Sequence, residues 1–159
     1  MKGRAAGDLA TALEMVARTR QAGGAVVFTN GVFDLVHPGH IRYLQAARQL
    51  GDALVVGVNS DRSVRAIKGP ARPVNPEHER VEILCALGCV DAAVVFDEDT
   101  PLVLITQIQP DVLVKGADWA ADEIVGRDVV EARGGRVVRM PTEAGFSTTD
   151  LIGRASARP

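Results

Sequence analysis

A doubly wound α/β domain, with a five-stranded parallel sheet and helices on both faces, follows from three features of the sequence. Five short apolar runs, mostly β-branched, alternate with helical stretches, the order of a parallel sheet built from crossovers. Each run is apolar almost throughout rather than at every second residue, as expected of strands covered on both faces. The chain of 159 residues shows no internal repeat, low-complexity segment or linker, so residues 1–159 read as a single domain.

The elements follow in order. A helix over about residues 7–20 sets Leu9, Leu13 and Val16 on one side. The strands are Ala25–Thr29, Leu54–Asn59, Ala93–Phe96, Val112–Lys115 and Arg136–Arg139. Between them, Gly39–Leu50 carries Ile41, Leu44 and Ala47 on one face, and Glu77–Leu87 carries Val81, Leu84 and Leu87. Gly51 and Gly88 read as their C-caps. Further helices are expected at Pro101–Ile108, Ala121–Ala132 and Thr148–Arg154, with residues 155–159 as a frayed tail.

Composition narrows the function. Hydrophobic residues at 47% and charged residues at 24% exclude wholesale disorder, and 4% aromatics require an aliphatic core. No apolar run reaches the roughly 20 residues of a membrane helix. Met1–Ala12 holds no apolar block ahead of a cleavage site, so no secretory leader is expected and the chain reads as cytoplasmic. Cys85 and Cys89, four apart, match no metal or disulfide pattern and read as small core residues in a reducing compartment. The net charge of −2 points to neither nucleic acid nor an anionic membrane. Yet Arg62, Arg65, Lys68 and Arg72 fall together with no acid among them, whereas Val81–Glu131 is acidic save for Lys115 and Arg127. A short positive loop on an acidic domain suits a small anion.

Ligands of open parallel sheets bind at the carboxyl ends of the strands. The segments to inspect are therefore Asn30–His40, Ser60–Pro76, Gly116–Trp119 and Met140–Thr149. Neither GxxxxGK[ST] nor a GxGxxG after the first strand is present, which disfavours P-loop kinases and dinucleotide dehydrogenases. The first strand instead runs into Asn30-Gly31-Val32-Phe33-Asp34-Leu35-Val36-His37-Pro38-Gly39-His40, holding two of the chain's three histidines. Pro38 and Gly39 permit a tight turn into a helix whose N-terminus offers free N–H groups and positive dipole to an anion. At i, i+3 both imidazoles can aim at that spot and donate to phosphate oxygens. A metal pair lacks a third ligand nearby, and a histidine nucleophile is a further alternative; no metal site is expected.

Gly31-x-Phe33-Asp34-x-x-His37-x-Gly39-His40 resembles the signature of the HxGH nucleotidyltransferases of the cytidylyltransferase type. Gly145-Phe146-Ser147-Thr148-Thr149 is similar to that superfamily's GISTT segment. Val58-Asn59-Ser60-Asp61, Lys68-Gly69, Arg72-Pro73-Val74-Asn75-Pro76 with Arg80, and Asp111-Val112-Leu113-Val114-Lys115-Gly116-Ala117-Asp118-Trp119 resemble the adenylyltransferase half of bifunctional heptose-phosphate kinase/adenylyltransferases. The resemblance runs from about Leu9 to Gly153, without the kinase half, so a stand-alone form is expected.

This resemblance implies a Rossmann-like fold and transfer of an adenylyl group from ATP to D-glycero-β-D-manno-heptose 1-phosphate, releasing pyrophosphate, for the lipopolysaccharide inner core. His37, His40, Lys68 and Arg72 are the implied catalytic residues. Asn30, Gly31, Phe33, Gly39, His40, Lys115, Gly116, Ser147 and Thr148 would bind the nucleotide. Asn59, Asp61, Arg72, Arg80, Asp118 and Trp119 would meet the sugar phosphate, with Asp34 positioning either the sugar or the motif loop. Arg80 reads equally as a helix salt bridge, Asp34 as a turn aspartate, and Trp119 as a cap on the sheet edge. With no carboxylate cluster in the sequence, Mg²⁺ is expected to arrive with ATP. Homo-oligomerisation stays open. A cytidylyltransferase for glycerol 3-phosphate or ethanolamine phosphate is the alternative, disfavoured by Thr142 where those enzymes carry arginine three residues before the glycine. A nucleotide-sensing scaffold is the other, disfavoured by the intact His37, His40, Lys68, Arg72 and Ser147.

Overall fold

The computed structural model describes residues 7–142 and 144–157. Five parallel strands, β1 (Val26–Gly31), β2 (Ala53–Asn59), β3 (Ala92–Phe96), β4 (Val112–Gly116) and β5 (Arg136–Met140), lie in the order β3-β2-β1-β4-β5. Alternate residues of each strand feed opposite cores, as the pleat requires. Val26 and Phe28 join Val55, Leu113 and Ile105 on one face; Val27 joins Leu54, Val56 and Leu44 on the other. The first core is closed by α1 (Leu9–Gln21), α5 (Leu102–Ile108) and α6 (Arg127–Ala132), the second by α2 (Pro38–Arg48) and α4 (Glu77–Ala86). The expected fold class and strand set are therefore present, with strand ends shifted by one or two residues. Among the described residues no helix is long and apolar enough to cross a membrane.

Three aspartates set the register at the amino ends of the strands. Asp52, Asp91 and Asp111 each stand one residue before a strand. Each donates its own N–H to a carbonyl next door, on Ala25, Leu54 and Val26 respectively. Each carboxylate then accepts the N–H of that same residue at 2.8 Å. Both backbone groups of each neighbour are thus satisfied where the ladder begins.

The helices depart from the sequence reading in three places. Residues 61–68, expected within a basic loop, form α3 (Asp61–Lys68); Ser60 caps it by accepting the Ser63 N–H at 3.1 Å. The expected helix Ala121–Ala132 is broken into a 3₁₀ turn, Ala121–Glu123, and α6, because Gly126 takes φ +89° between them. The last helix, α7 (Thr148–Ser156), includes Ala155 and Ser156 of the expected frayed tail, whose Arg158 and Pro159 lie outside the described residues. Gly51 is no left-handed cap: a side chain there would meet Val27 Cγ2 at 2.7 Å and the Ala25 carbonyl at 2.8 Å, so close packing onto β1 demands it.

Candidate active site

The strand order reverses between β1 and β4, and such switch points open a crevice above the carboxyl ends of the strands. A crevice of about 1170 Å³ lies here. It is lined by the end of β1 and the loop after it, by the N-termini of α2 and α7, by Lys68 and Arg72, and by residues following β3, β4 and β5.

The β1–α2 loop is shaped by close contacts. A Cβ on Gly31 would approach the Phe33 ring to 3.0 Å, and Phe33 itself takes φ +49° while only 6% exposed. That conformation is costly for a bulky residue and persists where packing over-determines it. His37 is the N-cap of α2 and Pro38 its first residue. The His37 Nδ1 accepts the His40 N–H, and the His40 Nδ1 accepts the His37 N–H, both at 3.4 Å. The two rings stack with centroids 3.8 Å apart at 19°. Each imidazole therefore joins a reciprocal capping box through Nδ1, which places the proton of the neutral His37 ring on Nε2.

Both rings are held neutral. Burial lowers the His37 pKa below the usual imidazole range. Burial first, then the adjacent His37, pushes His40 down to about 4, against an opposing pull from the Leu35 backbone. A protonated imidazole is thus disfavoured at either position, and positive charge must come from lysine, arginine and the helix N-termini. A stability effect follows. Between about pH 6.5 and pH 4 the unfolded chain takes up a proton at residue 40 that the folded chain refuses, so stability falls as pH falls through that window. The expected loss is on the order of 2 kcal/mol, allowing for screening at this partly exposed ring. Urea unfolding at pH 7 and pH 4.5 measures it. In His40→Asn, which keeps an acceptor near the Nδ1 position, the pH-dependent loss should shrink; an unchanged loss assigns it elsewhere.

Of the basic cluster, the structure brings only Lys68 and Arg72 to the crevice. Arg62 turns away to Asp97 at 3.0 Å. Arg72 directs its Nε to Asp34 Oδ2 at 2.6 Å, leaving its terminal nitrogens without a hydrogen bond among the described residues. Asp34, 1% exposed, also accepts the N–H groups of Val74 and Asn75 at 2.9 Å, while its carbonyl accepts from Asn75 Nδ2. Burial raises the Asp34 pKa, but the Asn75 and Val74 amides and the Arg72 guanidinium together outweigh it and hold the carboxyl below its usual range. With both oxygens accepting hydrogen bonds, Asp34 ties the motif loop to Arg72 and to the Val74–Asn75 backbone at the edge of the crevice.

Arg80 and Asp61, expected to meet substrate, lie off the crevice wall. Arg80 is 0% exposed and donates to Asn75 O at 3.0 Å, Val32 O at 2.7 Å and Asp61 Oδ1 at 2.9 Å. Burial forces a guanidinium to find such partners, and here it ties the motif loop, α3 and the Arg72 loop together. The remaining expected residues do line the crevice: Asn30, Gly31, Phe33, Gly39, Asn59, Lys115, Gly116, Asp118, Trp119, Ser147 and Thr148. Lys115 Nζ sits 5.1 Å from the Trp119 ring centroid, and burial lowers its pKa against the opposing Asp118 charge. The Ser147 hydroxyl caps α7 by accepting the Asp150 N–H at 3.3 Å.

Sequence reasoning missed Arg42 and Tyr43 on α2, and Phe96, Asp99 and Thr100 at the end of β3 and beyond it. The last three follow the same strand-end rule used for the other segments, which applies to the stretch after β3 as well. Arg42 lies five residues beyond His37 on α2, within the span of the motif helix.

A parallel sheet whose reversal point carries an HxGH helix N-terminus facing a second, Ser-capped helix N-terminus defines a class that handles nucleotide phosphates. The chain belongs to the cytidylyltransferase-like family of nucleotidyltransferases, whose model matches residues 28–154. It is 57% identical over 135 residues to the bifunctional protein HldE of Syntrophotalea carbinolica, covering 85% of this chain and 28% of that one. It is 55% identical over 150 residues to the HldE of Mesorhizobium japonicum, covering 94% and 30%. The chain thus spans less than a third of the length of these relatives. Among solved structures it resembles a lipopolysaccharide core biosynthesis protein from Thermoplasma volcanium GSS1, with TM-score 0.64 and 31% identity over 76% of this chain and 99% of that one.

Proposed function

We propose that the chain transfers an adenylyl group from ATP to D-glycero-β-D-manno-heptose 1-phosphate, forming ADP-heptose and pyrophosphate for the lipopolysaccharide inner core. The carrying observation is one crevice with two phosphate-gripping walls: the α2 and α7 N-termini with His37 and His40, and Lys68 with Arg72. Its volume of about 1170 Å³ suits two small polyanions together. The close similarity to the HldE proteins supports the same reading.

In this reading a sugar-phosphate oxygen attacks the α-phosphorus in line and pyrophosphate leaves. The nucleophile is already ionised at neutral pH, so the reaction needs placement and charge stabilisation rather than a base. His37 and His40 act at the ATP phosphates, His37 donating from Nε2. Ser147 and Thr148 hold the α7 N-terminus to the β- and γ-phosphates. Lys68 and Arg72 clamp phosphates of both substrates. Asn30, Gly31, Phe33, Gly39, Lys115 and Gly116 line the nucleotide's share of the crevice, and Asn59, Asp118 and Trp119 the acceptor's. In this reading Mg²⁺ enters as part of the MgATP substrate. A cytoplasmic site of action accords with small, soluble substrates.

A cytidylyltransferase is the second reading, favoured by the family model. Thr142, on the crevice wall within 3.4 Å of where a Gly116 side chain would begin, stands where those enzymes carry arginine. Without the fixed fork of donors, cytosine would leave polar groups unpaired, worth on the order of 10³-fold in discrimination. Initial rates of pyrophosphate release from each of four NTPs test this, with heptose 1-phosphate, glycerol 3-phosphate and ethanolamine phosphate as acceptors. The expected result is ATP with heptose 1-phosphate and negligible turnover of CTP with glycerol 3-phosphate. Equal or faster rates with CTP would overturn the heptose assignment.

A further inference from the structure

The residue before Ser147 is Phe146, where the segment this chain resembles carries isoleucine. Phe146 lies across the first turns of α2. Its ring is near-parallel to that of His37, with centroids 5.9 Å apart at 18°. Its Cβ rests where a side chain on Gly39 would begin, 2.8 Å away, so only glycine at residue 39 admits this approach. The Arg42 guanidinium sits 5.3 Å from its ring centroid. One aromatic side chain from the segment before α7 thus lies against the N-cap of α2 and two residues of the helix itself, while His40 stacks on His37.

We propose that Phe146 is a positioning residue: its ring fixes the orientation of the His37 imidazole and locks the α7 N-terminus onto the α2 N-terminus, so that both face one phosphate chain. This rests on the adenylyl-transfer reading for its catalytic consequence and on geometry alone for its structural one. The His37 ring is held by a long 3.4 Å hydrogen bond at Nδ1 and by the His40 ring stacked on it at 3.8 Å, and Phe146 is the further ring that lies near-parallel to it. A flat, near-parallel neighbour restricts that rotation, and an aliphatic side chain of similar size does not. The Arg42 cation adds a favourable contact with the same ring and draws it toward the helix. Misplacing a donor by a fraction of an ångström is enough to slow a reaction that relies on placement.

The test compares Phe146→Leu and Phe146→Tyr in the full chain, by proton NMR of the carbon-bound histidine ring protons and by steady-state kinetics with ATP and heptose 1-phosphate. In Phe146→Leu the His37 ring protons should lose the ring-current shift from Phe146. kcat should fall about tenfold, with a smaller change in KM for ATP. In Phe146→Tyr both the resonances and kcat should stay near those of the parent. Unmoved His37 resonances in Phe146→Leu would overturn the proposal, as would moved resonances with undiminished kcat. So would an equal loss of kcat in Phe146→Tyr with its stacking signature intact. An inactive parent chain would instead overturn the adenylyl-transfer reading, and the resonances alone would then decide whether Phe146 orients His37.

Discussion

His37→Asn should keep its fold and lose its reaction. Asparagine is among the best N-cap residues, and its Oδ1 can accept the His40 N–H that Nδ1 accepts now. What it cannot supply is the Nε2 donor on the crevice wall. Turnover should fall ~10²–10³-fold, the usual range for one preorganised transition-state donor, with the thermal midpoint close to that of the parent. His37→Ala should lose the donor and the cap together, adding about 1 kcal/mol of destabilisation. Pyrophosphate release and thermal unfolding on the two variants separate the roles. A folded His37→Asn with near-parent turnover would reduce the residue to a helix cap. His40→Asn should lower turnover to a similar extent, because the second imidazole lines the same crevice.

Arg72→Lys should lose nearly as much as Arg72→Ala. Under the proposed reaction the guanidinium does two jobs at once: Nε holds Asp34 at 2.6 Å, and the terminal nitrogens serve a phosphate. A lysine has one nitrogen and must choose. If it pairs with Asp34, the phosphate loses its clamp; if it turns to the phosphate, Asp34 keeps only the Val74 and Asn75 amides. Removing a charged hydrogen bond from a reacting polyanion costs roughly 1.5–3 kcal/mol, so kcat/KM should fall about 10- to 100-fold in either variant. Asp34→Asn should reproduce part of the loss, because it weakens the hold on the Arg72 Nε. Unchanged kinetics in Arg72→Ala would return this loop to ordinary solvated surface.

The strands were legible because burial on both faces writes itself as uninterrupted apolar runs, and the motif loop because Pro38 and Gly39 can do few other things between two histidines. Side-chain direction was not legible. Arg62, Arg65, Lys68 and Arg72 look alike in sequence, yet α3 turns Arg62 to Asp97 and presents Lys68 to the crevice. The signal for that helix was present in Ser60, three residues ahead of Ser63, and in Gly69 at its end. It was masked by a charge cluster that reads as a loop. Arg80 and Asp61 were drawn toward the substrate by their place in a family-like stretch. Only the folded chain shows that Arg80 reaches Val32, forty-eight residues earlier, and is fully enclosed. The reciprocal capping box was hidden as well, since histidine is an uncommon cap and Nδ1 seldom enters such readings.

The aspartates that open β2, β3 and β4 bear on how this molecule could change. Asp52, Asp91 and Asp111 align the strands at the rim farthest from the crevice. The opposite rim, which meets the ligands, is therefore relieved of alignment. Loops there can lengthen, shorten or exchange side chains while the strands stay in step, because the zip is fastened at its other end. Side chains lining the crevice at Asp99, Thr100 or Trp119 could then be exchanged along a lineage with little penalty to folding. An equally modest change at Asp111 would strike a foundation shared by every variant. A library randomised at the ligand rim should accordingly yield mostly folded proteins, and the same library placed at the three aspartates mostly misfolded ones.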